Sequence, residues 1–279
     1  MKPRVSVAIG VYNPTESALK ATLDSVIAQK FQDWEMVIVN DGSNERIRNI
    51  LHDYADIDKR IRVLDNEKNI GLTKSLIRCM GECKGDCIFR IDAGDICRPD
   101  RMRAQLDIME SNPDIGIVGS NAVMNFTCDG ELLSSYESQY PESDSMIRKS
   151  LRKKNPFCHV SVTFRRSSYD EVGGYAQRWT TSQDFDLWIR MLSVSKGRNI
   201  QETLVTVNTD YNNSISIQRN KTQCRNNIGI RWNNWRKGFI PASVAFPGII
   251  KYSILLLLPT KIIWAVRNKL KEFLANSKN

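Results

Sequence analysis

Within the first 125 residues, short runs rich in β-branched side chains alternate with stretches whose apolar residues recur at helical spacing. Residues 4–11 form the first such run, and Leu19, Leu23, Val26 and Ile27 then mark one face of a helix. Residues 35–39 make a second buried strand that closes on Asn40-Asp41-Gly42-Ser43. After a polar helical stretch, residues 61–64 make a third, closing on Asp65-Asn66. Leu72, Leu76, Ile77 and Met80 give another helical stripe, and residues 87–91 a fourth strand. A helix over 99–110 and a strand over 115–124 complete the series. Strand and helix alternating with short connections predict an α/β fold, a mainly parallel sheet flanked by helices on both faces.

In such a sheet, ligands sit beyond the carboxyl ends of the strands. Tyr12 and Asn13, Asp41, Asp65 and Asn66, and Asp92 and Asp95 all fall at those ends, which predicts a polar cluster along one edge. The run Asp92-Ala93-Gly94-Asp95 sets two carboxylates at a strand tip, just before a proline-started helix. Hard cations such as Mg²⁺ and Mn²⁺ take oxygen ligands and often reach a protein through one or two carboxylates plus substrate phosphates. The competing reading is a plain turn, since Asp and Gly are turn formers. Neither G-x-G-x-x-G after the first strand nor G-x-x-x-x-G-K-[ST] occurs, which argues against dinucleotide oxidoreductases and phosphate-loop ATPases.

Beyond residue 125 the alternation fades. Asp129-Gly130 predicts a hairpin turn, and residues 136–144 a polar loop. A compact segment follows: Asn155-Pro156-Phe157-Cys158-His159, a strand over 160–164, then Gly173-Gly174-Tyr175. A helix begins at Gln183, with Asp184 near its N-terminus and Leu187, Met191 and Val194 facing inward.

The net charge of +9 is unevenly placed. Residues 219–279 carry 12 of the 40 Lys/Arg and one of the 31 acidic residues, Glu272, for a net of +11; the rest of the chain stands at −2. A basic end points to a polyanion. Ile- and Leu-rich sequence over 249–266, with Tyr252 and Trp264 and basic flanks, favours a membrane surface over nucleic acid. The uncharged run between Lys251 and Lys261 is only about 14 Å of helix against roughly 30 Å of hydrocarbon, so it does not span. After Pro259, Ile262, Ile263, Val266, Leu270, Phe273 and Leu274 form a helical stripe. A second subunit is the alternative cover for that stripe, which would make the protein a homo-oligomer. No apolar signal run opens the chain, and seven irregularly spaced cysteines fit reduced thiols, so a cytoplasmic location is expected. Cys79, Cys83 and Cys87 lack a fourth partner for zinc.

The succession VSVAIGVYN, LDSVIAQKFQDWEMVIVNDGS, NIGLTKSL, RIDAGDICRPDR, NPFCHVSVTFRR, GGY and QDFDLWIR resembles family 2 glycosyltransferases of the GT-A fold. More narrowly, it is similar to the bacterial enzymes that extend O-antigen, capsule or exopolysaccharide units on a polyprenyl-diphosphate carrier. The similarity covers about residues 3–210. It implies a GT-A domain over 1–218, with a nucleotide-sugar half over 1–125 and an acceptor half over 126–218. Basic, membrane-associating helices over 219–279 would hold the protein on the inner face of the cytoplasmic membrane.

By the same resemblance, Asp41 matches the aspartate that binds the nucleotide base, usually uracil, while Tyr12 and Asn13 border the nucleoside. Asp92 matches a carboxylate near ribose and metal, and Asp95 the usual metal ligand, for Mn²⁺ or Mg²⁺. Asp184 matches the proposed catalytic base, and His159, Trp188 and Arg190 fall on the acceptor side. The implied reaction is inverting transfer from a UDP-sugar to a polyprenyl-diphosphate-linked saccharide. Many relatives read D-x-D-D where this chain has Gly94 in the third place. Two alternatives from other classes are a non-catalytic nucleotide-sugar-binding protein and a sugar nucleotidyltransferase. The latter calls for a glycine-rich basic loop where Tyr12-Asn13-Pro14-Thr15-Glu16 stands.

Overall fold

The computed structural model describes residues 2–128, 131–210 and 220–257. The first half runs β1 (Val5–Val11), α1 (Glu16–Ile27), β2 (Trp34–Asn40), α2 (Glu45–Ile57), β3 (Ile61–Asp65), α3 (Leu72–Glu82) and β4 (Cys87–Arg90). A two-residue β5 (Ile96–Cys97), α4 (Arg101–Ser111) and the long β6 (Ile115–Cys128) follow. The second half contains β7 (Glu131–Ser138), α5 (Asp144–Ser150), β8 (Thr163–Arg165), α6 (Arg166–Glu171), α7 (Gln183–Val194) and β9 (Lys196–Asp210). Two helices, α8 (Asn220–Arg236) and α9 (Ala242–Leu257), end the described chain.

The strands lie in the order β3-β2-β1-β4-β8-β6-β9-β5, with β7 paired to β6. β3, β2, β1 and β4 are mutually parallel. β1 is buried along nearly its whole length, as a strand covered on both faces must be. Alternate side chains feed two cores. Val7, Ile9, Met36 and Ile38 pack toward α1, α2 and α4, and Ala8, Val37 and Val39 toward α3 and α7. The helices start where side-chain caps allow: Thr15 Oγ1 accepts from Ala18 N at 3.3 Å, and Asn44 Oδ1 from Ile47 N at 3.0 Å.

One feature departs from a simple parallel succession. β8 inserts between β4 and β6 and runs antiparallel to both. β6 then pairs in parallel with β9 and antiparallel with β7. The predicted polar loop over 136–144 is shorter than expected, because Tyr136, Glu137 and Ser138 belong to β7. The hairpin turn expected at Asp129-Gly130, and the break at Pro259 with its following stripe, lie outside the described residues. Among the described residues no helix is long and apolar enough to cross a membrane.

Candidate active site

The C-terminal tips of β1 to β4 converge on one edge, and each polar residue there is held by different partners. At the β2 tip, Asp41 is only 3% exposed. Its Oδ1 accepts from Asn66 Nδ2 and Ile70 N, both at 2.8 Å, and its Oδ2 from Gly71 N at 2.9 Å. The segment 66–71 therefore folds onto Asp41. It comes so close that a Cβ on Gly42, at φ +73°, would sit 2.6 Å from the Asn69 nitrogen. The expected base-binding carboxylate is thus occupied in this structure, where it ties a loop. At the β1 tip Asn13 bridges to α2, donating its N–H to Ser43 Oγ at 3.0 Å and accepting from Asn44 N at 2.8 Å. Its neighbour Tyr12 is left exposed at the rim.

At the β4 tip the two aspartates part company. Arg90 is completely buried, and its guanidinium pairs with Asp92 Oδ1. Asp92 Oδ2 lies 4.0 Å from His159 Nδ1. Burial alone would raise the Asp92 carboxyl, but Arg90 and His159 together hold it below the usual carboxylate range. Asp95 is 4% exposed, and burial, then the Asp92 charge, push it up to about 8. Among the described residues the backbone N–H of Asn208 donates to it, at 2.9 Å.

The turn between them is built for this separation. Gly94 sits at φ +111°, where side chains rarely go, which accounts for glycine in place of a third carboxylate. Its N–H donates to Thr22 Oγ1 at 2.8 Å, and its carbonyl accepts from Asn208 Nδ2 at 2.8 Å. Asn125 Nδ2 in turn donates to Asn208 Oδ1 at 3.0 Å, and Ser135 Oγ to Asn125 Oδ1 at 2.7 Å. A relay of two amides, on β9 and β6, and a hydroxyl on β7 thereby steadies the tip of β4.

Asp184 enters from α7. It is not the helix cap: Ser182 holds that position, in the left-handed region at φ +58°. The described non-glycine residues with positive φ are Ser182 and Asn13, and both flank this edge, where strain tends to collect. Asp184 Oδ2 accepts from Asn155 Nδ2 at 2.6 Å. His159 lies between the two halves. Its burial and the Arg90 charge keep it below its ordinary value, against the opposing pull of Asp184 and Asp92. The Tyr175 hydroxyl is 3.5 Å from His159 Nε2. Burial raises the Tyr175 phenol despite nearby Arg90, so it keeps its proton. The fold thus brings Asp92, His159, Tyr175 and Asp184 into one electrostatic neighbourhood, although they are spread over 93 positions of sequence.

Two residues expected on the acceptor side are packed inward in this structure. Trp188 is fully buried. Its indole packs against Phe157, His159 and Phe164, forming the wall behind His159 and offering no platform for a sugar. Arg190 is about 240° around the helix from Asp184 at 3.6 residues per turn. It is buried in a pair with Asp186 at 2.7 Å, and Asp186 also accepts from Asn234 Nδ2 at 2.9 Å, which joins α7 to α8. A depression of about 400 Å³ opens on that far side, between Gly173, Arg178 and Lys237, and touches none of the four aspartates at the edge. Val194, expected inward, is exposed at the helix end. The side chains of this edge not foreseen are Arg90, Asn155, Tyr175 and Asn208; the first three lie inside segments already conspicuous in sequence, while Asn208 carries no local signal.

The donor set fits a hard divalent cation: Asp95 is a buried carboxyl with one donor, and Asp92 keeps Oδ2 free of the Arg90 pair. Substrate phosphate and water would complete such a shell. Among the described residues no group of three or more His, Cys, Asp or Glu forms a self-sufficient metal site.

The profile of Glycosyl transferase family 2 matches residues 6–173, more than half of the chain and every strand tip described above. The chain belongs to glycosyl transferase family 2. The glycosyltransferase is 31% identical over 212 residues to "Putative glycosyltransferase EpsE" of Bacillus subtilis, covering 75% of this chain and 74% of that one. It is 29% identical over 209 residues to an Escherichia coli protein named "UDP-Gal:alpha-D-GlcNAc-diphosphoundecaprenol beta-1,3-galactosyltransferase", with 73% of each chain covered. The mannosyltransferase PcManGT from Pyrobaculum calidifontis, solved with GDP-Man and Mn²⁺, superposes with a TM-score of 0.64 at 15% identity, over 100% of this chain and 76% of that one. The fold of this glycosyltransferase is accordingly GT-A.

Proposed function

We propose that this glycosyltransferase moves a hexose or N-acetylhexosamine from a UDP-sugar to a hydroxyl of a polyprenyl-diphosphate-linked saccharide, with inversion. The observation that supports the reading is that Asp92 and Asp184 act on one imidazole: Asp92 Oδ2 lies 4.0 Å from His159 Nδ1, and the Asp184 charge is felt by the same ring. One carboxylate serves the acceptor and the other the donor.

Asp184 takes the proton from the acceptor hydroxyl as that oxygen bonds to the anomeric carbon. The bond from that carbon to the donor phosphate breaks, and its electron pair leaves on UDP. Asn155 orients Asp184 by occupying Oδ2. Asp95, with Asp92, would hold Mn²⁺ or Mg²⁺, which when bound offsets the charge growing on the diphosphate. Tyr12, exposed at the rim, is placed to cover the nucleoside. The UDP donor and the lipid-linked acceptor are supported by the name of the E. coli relative, and the metal by the PcManGT complex. The net charge of +11 over residues 219–279 supports a position at the membrane surface, facing the cytoplasm.

The test is a panel of UDP-sugars offered with a synthetic lipid-diphosphate-sugar acceptor and Mn²⁺, the product linkage being read by NMR. A β-linked product is expected from an α-linked donor, and Asp184→Asn is expected to lower transfer about 10²- to 10⁴-fold with an unchanged melting curve. Near wild-type transfer by the folded variant would remove Asp184 from the mechanism.

A further inference from the structure

We infer that the protein docks on an anionic phospholipid bilayer through a two-part face, one part of which lies outside the C-terminal helices, in the segment after α5. The inference rests on the membrane-side reading above and deepens it by naming the surface. Along α9, Phe246, Ile250, Ile254 and Leu257 recur at helical spacing on the side turned away from the core, and Ile250 and Ile254 are 58% and 55% exposed. Buried Ala245 and Gly248 mark the opposite side. Trp232 of α8 extends the patch, packing against Trp235 and edge-on to Phe246. An apolar helix edge of this kind, too short to span a membrane among the described residues, suits burial at the headgroup boundary.

The second part is the run Lys149, Arg152, Lys153 and Lys154, with Arg152, Lys153 and Lys154 all exposed. Arg148, one residue earlier, is paired with Asp144, whereas none of these four forms an ion pair among the described residues. The two parts are locked side by side. Lys251 Nζ of α9 donates to the Lys153 carbonyl at 3.2 Å. Arg231, only 1% exposed, lies over the rings of Phe185 and Tyr252 and reaches the Leu151 carbonyl at 3.4 Å. An apolar edge bordered by Lys149, Arg152, Lys153 and Lys154, which form no ion pair among the described residues, is complementary to lipid of negative surface potential.

The position of this face gives it a consequence for the reaction. The residue after Lys154 is Asn155, whose side chain holds Asp184 at 2.6 Å. The basic run therefore leads directly into the proposed acceptor side of the site. A saccharide tethered to the bilayer would approach Asp184 along this flank.

The experiment is sedimentation of the full chain with vesicles of 30% phosphatidylglycerol in phosphatidylcholine, against vesicles of phosphatidylcholine alone. Wild type is expected to bind the anionic vesicles and to be released as salt is raised. A variant combining Lys149→Glu, Arg152→Glu, Lys153→Glu and Lys154→Glu is expected to partition at least about a hundredfold more weakly. Its transfer to a short-chain, water-soluble acceptor should stay within about twofold of wild type, a readout that also proves the fold. Ile250→Ser/Ile254→Ser should weaken binding with little change in its salt dependence. Unaltered partition of the charge-reversed variant overturns the inference, as does failure of wild type to bind anionic vesicles while it still transfers sugar to the soluble acceptor. Loss of that soluble transfer in wild type would instead strike the proposed reaction. A dimer in sedimentation velocity that dissociates in Ile250→Ser/Ile254→Ser would assign the face to a second copy and likewise overturn the proposal.

Discussion

Asp41 and Asp95 stand at the tips of two parallel strands of the same sheet, and both are nearly inaccessible, at 3% and 4% exposed. Their surroundings are opposite. Asp41 receives three hydrogen bonds from the loop it anchors. Asp95 receives one, beside a second carboxylate, and its carboxyl is pushed up to about 8. Burial is therefore not what separates the two carboxylates. The difference lies in whether the protein itself supplies the donors, because a buried acceptor left short of partners retains its appetite for a cation.

The sharpest way to break this contrast is Asp95→Asn. Transfer is expected to fall about 10²- to 10³-fold, the scale of losing one electrostatic support at a developing charge. Stability should move the other way. In metal-free wild type, Asp95 in the folded state holds its proton up to about pH 8, while in the unfolded chain it ionises near 4. Between those values the native state binds more protons than the unfolded state, so stability falls as pH rises. Urea midpoints measured in chelator at pH 5 and pH 8.5 should show that decline in wild type and much less of it in the variant. An identical decline in both would mean that Asp95 is satisfied after all.

Asp41→Ala tests the other member of the pair. Removing its carboxylate leaves Ile70 N and Gly71 N without their acceptor, a cost of about 3 kcal/mol on the scale of buried unsatisfied donors. Urea unfolding should register that loss. A variant that unfolds like wild type but loses donor binding would return Asp41 to a nucleotide-reading role. The smallest effect expected is that of Asn208→Leu, which removes the amide that holds the Gly94 carbonyl while keeping the backbone donor to Asp95. Mn²⁺ affinity, followed by electron paramagnetic resonance, should weaken about 10- to 100-fold, as outer-shell substitutions commonly do. Unchanged affinity would show that the turn at Gly94 holds its shape unaided.

The first half of the fold was legible because its signals are local. Strands over 4–11, 35–39, 61–64 and 87–91 announced themselves by β-branched runs ending in Asp or Asn, and all four appear in the parallel run of the sheet. The strand expected over 160–164 begins only at Thr163, because His159–Ser161 closes as a 3₁₀ turn, and its direction was not legible, since nothing within Thr163–Arg165 encodes which neighbours it pairs with. The same limit applied to Trp188 and Arg190. Their residue types suit sugar recognition, but the face of α7 that each occupies is decided by what packs against it: Phe157 and Phe164 for Trp188, Asp186 and α8 for Arg190. Arg90 escaped notice because an arginine ending a strand reads as a solvated charge, whereas here it is completely buried against Asp92.

The sequence by itself determined the family, the strand-helix alternation and the edge where the carboxylates gather, all of which follow from side-chain period and from the residues at strand ends. Only the tertiary structure decided which of those carboxylates is a tie and which is poised for a ligand. Hydrogen-bond satisfaction and pairwise electrostatics depend on partners up to 113 positions away, as for Asn208 and Asp95, and no window of sequence contains both ends of such a bond.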